Sequence, residues 1–158
     1  MTENEIIEIL RQRYRPPEWA FISFLRMGTA YSYGLEDMYL YEGRYRNRWE
    51  RTMDAWAMNC YPSKDLVSVA FEVKVNRGDF LKELREPWKR IPALEVSNLF
   101  YFVAPVMVAL VHEIPPKLGL IEVNDNGKLV ITKKATRREI EPYPLRFMAS
   151  VARRAADE

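Results

Sequence analysis

The chain contains 158 residues, 48% of them hydrophobic and 29% charged, which is enough for one ordinary hydrophobic core and predicts a single domain over residues 1–158. Its 24 basic and 22 acidic residues leave a net charge of +2, which is too small to indicate a nucleic-acid partner by itself. No apolar run reaches the ~18–20 residues needed to cross a bilayer, the N-terminus is acidic rather than signal-like, and a single cysteine excludes an intramolecular disulfide, so we expect a cytoplasmic protein without membrane contact.

The N-terminal part of the chain is predicted to form two helices. Apolar residues recur at helical spacing from Glu3 to Tyr14, and again after Pro16-Pro17, where Trp19, Ile22 and Leu25 lead up to Gly28. The following stretch, residues 29–47, has no sustained period. We expect a long loop there, with a short strand at residues 38–41.

The remaining elements alternate between strands and helices. Two strand-like runs, residues 51–60 and 66–75, flank a Tyr-Pro-Ser-Lys-Asp turn and predict a β-hairpin. The later predicted elements are a helix opening at Asn76 or Gly78, a short helix at 88–94, a buried strand at 99–104, a hairpin at 118–132 and a terminal helix at 145–156. We therefore predict an α/β fold with a central mixed sheet flanked by helices.

Three residues of the predicted hairpin form a candidate reaction centre. Side chains at positions i and i+2 of a strand share a face, so Glu72 and Lys74 are expected to project together. Asp54 is an isolated acid in the preceding strand, and pairing of the two strands brings it near Glu72. Two carboxylates suit Mg²⁺, which leaves its other positions to water and a substrate phosphate. Lys74 would then orient the attacking water and stabilise the charge on the phosphate.

Two basic groups are candidates for nucleic-acid contact. Arg44, Arg46, Arg48 and Arg51 alternate with Tyr45 and Trp49, a pattern typical of phosphate contact combined with base stacking. The second group is Lys133, Lys134, Arg137 and Arg138. Short charge runs are also common on solvated surfaces, so both interpretations stay open.

The order of these residues resembles a known superfamily of nucleases. Asp54, followed by Phe-Glu-Val-Lys-Val-Asn-Arg-Gly-Asp-Phe-Leu-Lys-Glu-Leu at residues 71–84, is similar to the PD-(D/E)XK nuclease superfamily. The likeness is strongest to small phage and bacterial proteins around the MmcB-like DNA-repair group. It extends over residues 18–134, and the segment 54–84 is its most specific part.

The resemblance implies a restriction-endonuclease-like core and assigns roles to particular residues. Asp54 and Glu72 correspond to the metal ligands, with Mg²⁺ as cofactor and Mn²⁺ as substitute, and Lys74 to the residue that positions the water. A third acid is expected on a helix before the strands; we assign it to Glu18, with Glu5 and Glu8 as alternatives. The helix dipole offers a simpler reason for an acid at Glu18.

Two further positions bear on the resemblance. Arg77 and Asp79 match the pattern just after the motif, and Arg77 is a further candidate for nucleic-acid contact. A capping residue with a neighbouring surface charge would look the same. Relatives tend to carry an acid near Asn98, where this chain has an amide.

The sequence supports two functional hypotheses. The first is a Mg²⁺-dependent deoxyribonuclease that hydrolyses DNA phosphodiester bonds in repair, recombination or phage DNA metabolism. The second is a catalytically silent nucleic-acid-binding or interaction module that retains the nuclease fold. Neither the strand state of the substrate nor the oligomeric state follows from the sequence, and a homodimer is compatible with it.

Overall fold

The computed structural model describes residues 1–27 and 51–158. The strands are β1 (Trp19–Met27), β2 (Arg51–Asn59), β3 (Ser68–Val73), β4 (Leu99–Pro105), β5 (Gly119–Val123) and β6 (Leu129–Lys133). The helices are α1 (Glu3–Arg13), α2 (Arg77–Leu84), α3 (Ile91–Glu95) and α4 (Leu145–Ala155), with 3-10 turns at Pro62–Lys64, Pro87–Arg90 and Val111–Glu113. The predicted loop at 29–47, with its strand at 38–41, lies outside the described residues.

The six strands form one mixed sheet in sequential order from β1 to β6. β1, β2 and β3 are antiparallel, β3, β4 and β5 are parallel, and β6 returns antiparallel to β5. The turn at Pro62–Lys64 is short enough to join antiparallel neighbours, whereas α2 and α3 provide the crossover that parallel strands require. The predicted α/β fold with a mixed sheet and flanking helices is confirmed.

Helices cover both faces of the sheet, and the sheet separates the core into two layers. On one face, α1 packs Ile6, Ile7 and Leu10 against the strands. On the other face, α2 contributes Phe80 and α4 contributes Phe147. The residues of β4 are buried on both sides, which explains the continuous apolar run that predicted this strand.

Residues 19–27 form a strand, so the prediction of a second helix was wrong. The ladder pairs Ser23 with Ala55 on β2 but skips the next position, where Phe24 has a φ of 51°. This left-handed kink shifts the alternation of side chains by one residue. Ile22 and Leu25 consequently face the same core layer although they are three residues apart, which imitates helical spacing.

The other helix predictions are confirmed, and their ends have clear local causes. Thr2 and Glu5 form a reciprocal capping box at the start of α1. The Asn76 side chain accepts a hydrogen bond from the Asp79 N–H and caps α2. In the described part of the chain, no helix combines the length and the apolar character needed to cross a membrane.

Candidate active site

Asp54 lies where β2 and β3 separate. The ladder between these strands ends at the pair formed by Ala55 and Phe71, and Asp54 is the neighbour of Ala55 on the unpaired side. Beyond that pair, Asp54 Oδ2 accepts a hydrogen bond from the Val73 N–H at 2.8 Å. The side chain therefore continues the connection between the two strands and places its carboxylate at the C-terminal end of β3, beside Glu72 and Lys74.

Glu72 and Lys74 project together, as their i, i+2 spacing predicts. Lys74 Nζ lies 2.7 Å from Glu72 Oε1, and each side chain is 19% exposed. The Lys74 backbone N–H donates to Val103 O on β4, which holds the residue at the end of the parallel ladder. The structure thus brings Asp54, Glu72 and Lys74 to one end of the sheet.

Glu83 joins this group and was missed in the sequence. It lies on α2, is only 7% exposed, and the nearby Glu72 acts on its pKa. Because α2 packs on the sheet through Phe80, a residue three positions later shares its buried face. A charged residue on the buried stripe of a helix was the signal that could have identified Glu83.

Glu3 also approaches the site, from the opposite layer. It lies in the first turn of α1, in line with the buried residues Ile6 and Ile7, and its charge acts on Asp54. The rivals Glu5 and Glu8 are exposed, and Glu5 is engaged in the capping box with Thr2. We call Glu3, Asp54, Glu72, Glu83 and Lys74 the acidic cluster.

A cleft of about 230 Å³ opens onto the acidic cluster. Lys74, Glu83 and Glu3 line it, together with the side chains of Lys82 and Lys89 from α2 and the turn that follows. Asp54 and Glu72 are not among the lining residues, but they form hydrogen bonds with Val73 and Lys74, which are. The cleft thus combines carboxylates with lysines, a lining suited to an anion held through a cation.

Three carboxyl groups of the acidic cluster, those of Asp54, Glu72 and Glu83, have raised pKa values. Burial, together with the charges of Glu3 and Glu83, raises the pKa of Asp54 to about 6, against the Val73 hydrogen bond and Lys74. Burial and the nearby Glu72 raise the pKa of Glu83 to about 7. Burial also raises the pKa of Glu72, with Asp54 adding to the effect. The carboxyl groups of the cluster therefore ionise less readily than free ones, although Lys74 partly offsets this effect.

The carboxylates that surround Lys74 raise the pKa of its ammonium group. Burial alone lowers the pKa of its ammonium, but the carboxylates of Glu72, Glu83 and Asp54 outweigh burial, and the net pKa is raised. Lys74 consequently stays protonated at neutral pH. A permanent cation at this position is suited to holding a water molecule or a phosphate oxygen.

Glu18 does not join the acidic cluster. It precedes β1 rather than opening a helix, and its Oε1 accepts a hydrogen bond from Asn59 Nδ2 at 3.0 Å. Asn59 is five residues along β2 from Asp54, which corresponds to roughly 17 Å at ~3.3 Å per residue. Glu18 therefore connects two chain segments at the far end of the hairpin, and the helix expected to carry it is absent from the described residues.

The arginines assigned to nucleic-acid contact are only partly described. Arg44, Arg46 and Arg48 lie outside the described residues, and Arg51 starts β2. Arg77 is exposed and pairs with Glu113 through two hydrogen bonds of 3.0 and 2.9 Å. This pair leaves Arg77 tied to the turn at Val111–Glu113 rather than turned toward the acidic cluster.

The second basic group is largely occupied with structural contacts. Lys133 Nζ donates to the carbonyls of Pro115 and Leu118, both at 2.9 Å. Arg138 Nη1 donates to Leu94 O at 2.9 Å. Asn98 is buried and accepts a hydrogen bond from the Ser68 N–H, so it supports the start of β3 instead of the acidic cluster.

The donor set of the acidic cluster fits a hard divalent cation. Within residues 1–27 and 51–158, no three His, Cys, Asp or Glu side chains are grouped as a complete ligand set. Mg²⁺ typically takes only one or two protein carboxylates, which Asp54 and Glu72 supply. Burial first, and neighbouring carboxylates second, raise the pKa values of Asp54 and Glu72, and a bound cation would favour their ionised forms.

Comparison with known proteins identifies a similar fold but assigns no function. No family model matches the chain, and no curated protein matches it. The structure is similar to that of a protein of unknown function from Silicibacter pomeroyi, with a TM-score of 0.57 and 14% sequence identity, covering 99% of this chain and 86% of that chain. At this identity the likeness extends to the fold alone.

Proposed function

We propose that this protein is a metal-dependent nuclease that hydrolyses DNA phosphodiester bonds, with a PD-(D/E)XK-type site in a restriction-endonuclease-like core. The observation that carries the proposal is the convergence of Asp54, Glu72 and Lys74 at one end of the sheet, beside a cleft. An acid on one strand and a Glu-x-Lys on the next meet here as the proposed chemistry requires. The mixed sheet flanked by helices supports the fold part of the proposal.

Asp54 and Glu72 are the residues that would hold Mg²⁺, or Mn²⁺ in its place. Such a cation, when bound, polarises the phosphorus centre and lowers the pKa of water. The protein's own part is to bring two carboxyl groups to the same end of the sheet, at the edge of a buried layer. Burial has raised their pKa values, so the pair is prepared to exchange protons for a cation.

Lys74 supplies the fixed positive charge of the reaction. Its ammonium, held 2.7 Å from Glu72, stays charged because the carboxylates around it raise its pKa. From this position it orients the attacking water and stabilises the negative charge that develops on the phosphate. Lys82 and Lys89 line the same cleft and add attraction for a polyanion.

Glu83 is a positioning residue in this proposal. It lies on the buried face of α2 near Glu72, whose carboxylate also accepts a hydrogen bond from Lys74 Nζ. A ligand whose orientation is held by a second carboxyl group is better organised for metal binding. Glu18 has no part in the proposed site.

A second candidate is a nucleic-acid-binding module without turnover. One observation favours it: Asp54 and Glu72 already have partners within the protein, the Val73 N–H and the Lys74 ammonium. A fully paired group of this kind could serve as a structural ion network.

The two candidates are separated by incubating the purified protein with single-stranded, duplex and branched DNA, in Mg²⁺, in Mn²⁺ and in chelator. We expect cleavage of at least one DNA form with either metal and none with chelator. Binding of DNA without cleavage in any condition would establish the module instead.

A further inference from the structure

A second charged site lies on the side of β1 that faces away from β2. The Glu158 carboxylate accepts hydrogen bonds from the Ser23 backbone N–H at 3.1 Å and from Ser23 Oγ at 3.0 Å. Arg11 pairs with Glu158 through Nη1, and Arg154 Nη2 lies 3.3 Å from Glu158 Oε1. We call Arg11, Ser23, Arg154 and Glu158 the Glu158 site.

Both guanidinium groups are held in place by contacts other than Glu158. Arg11 donates to Ser23 Oγ at 3.0 Å, pairs with Glu8 at 3.2 Å and lies over the Phe21 ring. Arg154 donates to the carbonyls of Ser23 and Phe24, at 2.7 and 3.2 Å. The donors would therefore stay converged if the Glu158 carboxylate moved away, which distinguishes this arrangement from a simple surface ion pair.

The donors of the Glu158 site match the chemistry of a phosphate group. Two guanidinium groups, one backbone N–H and one hydroxyl point at a single anion. Arginine forks and backbone N–H groups are the donors that proteins use most for phosphate oxygens. A backbone phosphodiester presents two charged non-bridging oxygens, as the Glu158 carboxylate does, so it can accept hydrogen bonds from the same donors.

The Glu158 site is close to the acidic cluster in the fold. Ser23 pairs with Ala55, the residue next to Asp54 on β2. The Ser23 N–H and carbonyl are both bound by side chains from the C-terminal part of the chain, so they point away from β2. The two sites thus lie on neighbouring strands, at the same level along the sheet.

We propose that the Glu158 site binds a phosphate group, and that the Glu158 carboxylate occupies it in the free protein as an intramolecular competitor. The identity of the phosphate, which we take to be part of the backbone of a polynucleotide bound at the acidic cluster, rests on the proposed function. A tethered competitor acts at an effective concentration on the order of millimolar. Free phosphate must therefore exceed that level to displace Glu158 in the wild-type protein.

The test measures the binding of inorganic phosphate to the full chain by titration calorimetry, in the presence of chelator. Glu158→Gln removes the competing charge and should tighten phosphate binding about 10-fold or more, since charge-assisted hydrogen bonds are roughly twice as strong as neutral ones. Glu139→Gln, at an exposed acid on a different segment, changes the net charge equally and should leave the affinity unchanged. Adding Arg11→Gln to Glu158→Gln should remove the gain.

A measurement on the wild-type protein covers the case in which Glu158→Gln does not fold. Amide resonances of Ser23 and of residues 155–158 should shift together as phosphate displaces the carboxylate, whereas equal ionic strength of chloride should leave them in place. Absence of this shift, or a Glu158→Gln protein that binds phosphate no more tightly than wild type, would overturn the proposal and make Glu158 a structural contact only.

A second arm identifies the source of the phosphate. A labelled single-stranded oligonucleotide should also bind Glu158→Gln more tightly than wild type, in chelator. Tighter binding of inorganic phosphate without tighter binding of the oligonucleotide would overturn the assignment to a polynucleotide backbone. Because chelator is present and no cleavage is measured, failure of these assays is distinct from failure of the nuclease proposal.

Discussion

The acidic cluster and the Glu158 site both shield carboxylates from water, yet their electrostatics are opposite. Burial alone would raise the pKa of Glu158, but the Arg11 and Ser23 contacts outweigh it and the net pKa is lowered. In the acidic cluster, burial and neighbouring carboxylates together raise the pKa of Asp54 to about 6. The Glu158 site supplies more hydrogen-bond donors than its one carboxylate needs. The acidic cluster holds more carboxyl groups than its one lysine can neutralise.

This difference shows what each site lacks. A carboxylate surrounded by guanidinium groups stabilises the fold and can be replaced by another anion. Carboxylates that repel one another reduce stability unless a cation joins them, and such groups are common at functional sites. The comparison predicts that removing charge will have opposite consequences at the two sites.

The largest expected effect is on catalysis by the acidic cluster. Lys74→Met keeps the aliphatic stem and removes the charge, so cleavage should fall by ~10²–10³-fold while metal affinity survives. Asp54→Asn should reduce metal affinity as well as rate, because a neutral amide is a poorer ligand for a hard cation. Cleavage rates over a range of Mg²⁺ concentrations measure both effects.

Lys64→Met is the matched control for Lys74→Met. It removes an exposed lysine from the turn at Pro62–Lys64, at the opposite end of the hairpin. Its activity should equal that of wild type. If both lysine variants lose activity equally, Lys74 has no special part in the reaction and the assignment of its role is wrong.

The next effect is on the pH dependence of stability. The folded-state pKa of Asp54 is about 6 and its ordinary value is 3.8. The stability that the protonated Asp54 contributes to the folded state is therefore fully present below about pH 4 and is lost as the pH rises through 6. At ~1.4 kcal/mol per pKa unit, this loss is roughly 3 kcal/mol. Urea unfolding without metal should show Asp54→Asn gaining on wild type between pH 4 and pH 8. An equal difference at both pH values would contradict the raised pKa.

The smallest expected effect is the contribution of Glu158 to stability. Its pH dependence is opposite in sign to that of Asp54. Its lowered folded-state pKa gives stability that is present above the ordinary value of 4.5 and is lost as the pH falls below it. Glu158→Gln should therefore be less stable than wild type at pH 7, by about 1 kcal/mol, and nearly equal to it in acid. Thermal unfolding at several pH values measures this difference; a gain in stability at pH 7 would show that the carboxylate is strained in its site.

The hairpin and its motif were predictable because they depend on local patterns. Alternating side chains and a turn between residues 60 and 66 placed Asp54, Glu72 and Lys74 correctly, and the structure joins them through the Val73 N–H. The strand β4 was predictable for a similar reason, since burial on both faces leaves a continuous apolar run.

The rest depends on tertiary contacts that leave weak local signals. The kink at Phe24 gave β1 a helical spacing, which also led to the assignment of Glu18 to a helix. Glu3 and Glu83 become site residues only because α1 and α2 pack over the same end of the sheet. Glu158 reaches Ser23 across 135 positions of sequence, so no pattern in either segment could reveal the pair.

The central proposal for this protein is that the acidic cluster binds a divalent cation. Calorimetric titration of Mg²⁺ and Mn²⁺ into wild type, Asp54→Asn and Glu158→Gln tests this directly. We predict that wild type and Glu158→Gln bind the metal with equal affinity, and that Asp54→Asn binds it at least ~10-fold more weakly, since even changes beside a metal ligand cost 10–100-fold. A folded wild-type protein that binds neither metal at millimolar concentration, or an Asp54→Asn protein with unchanged affinity, would contradict it.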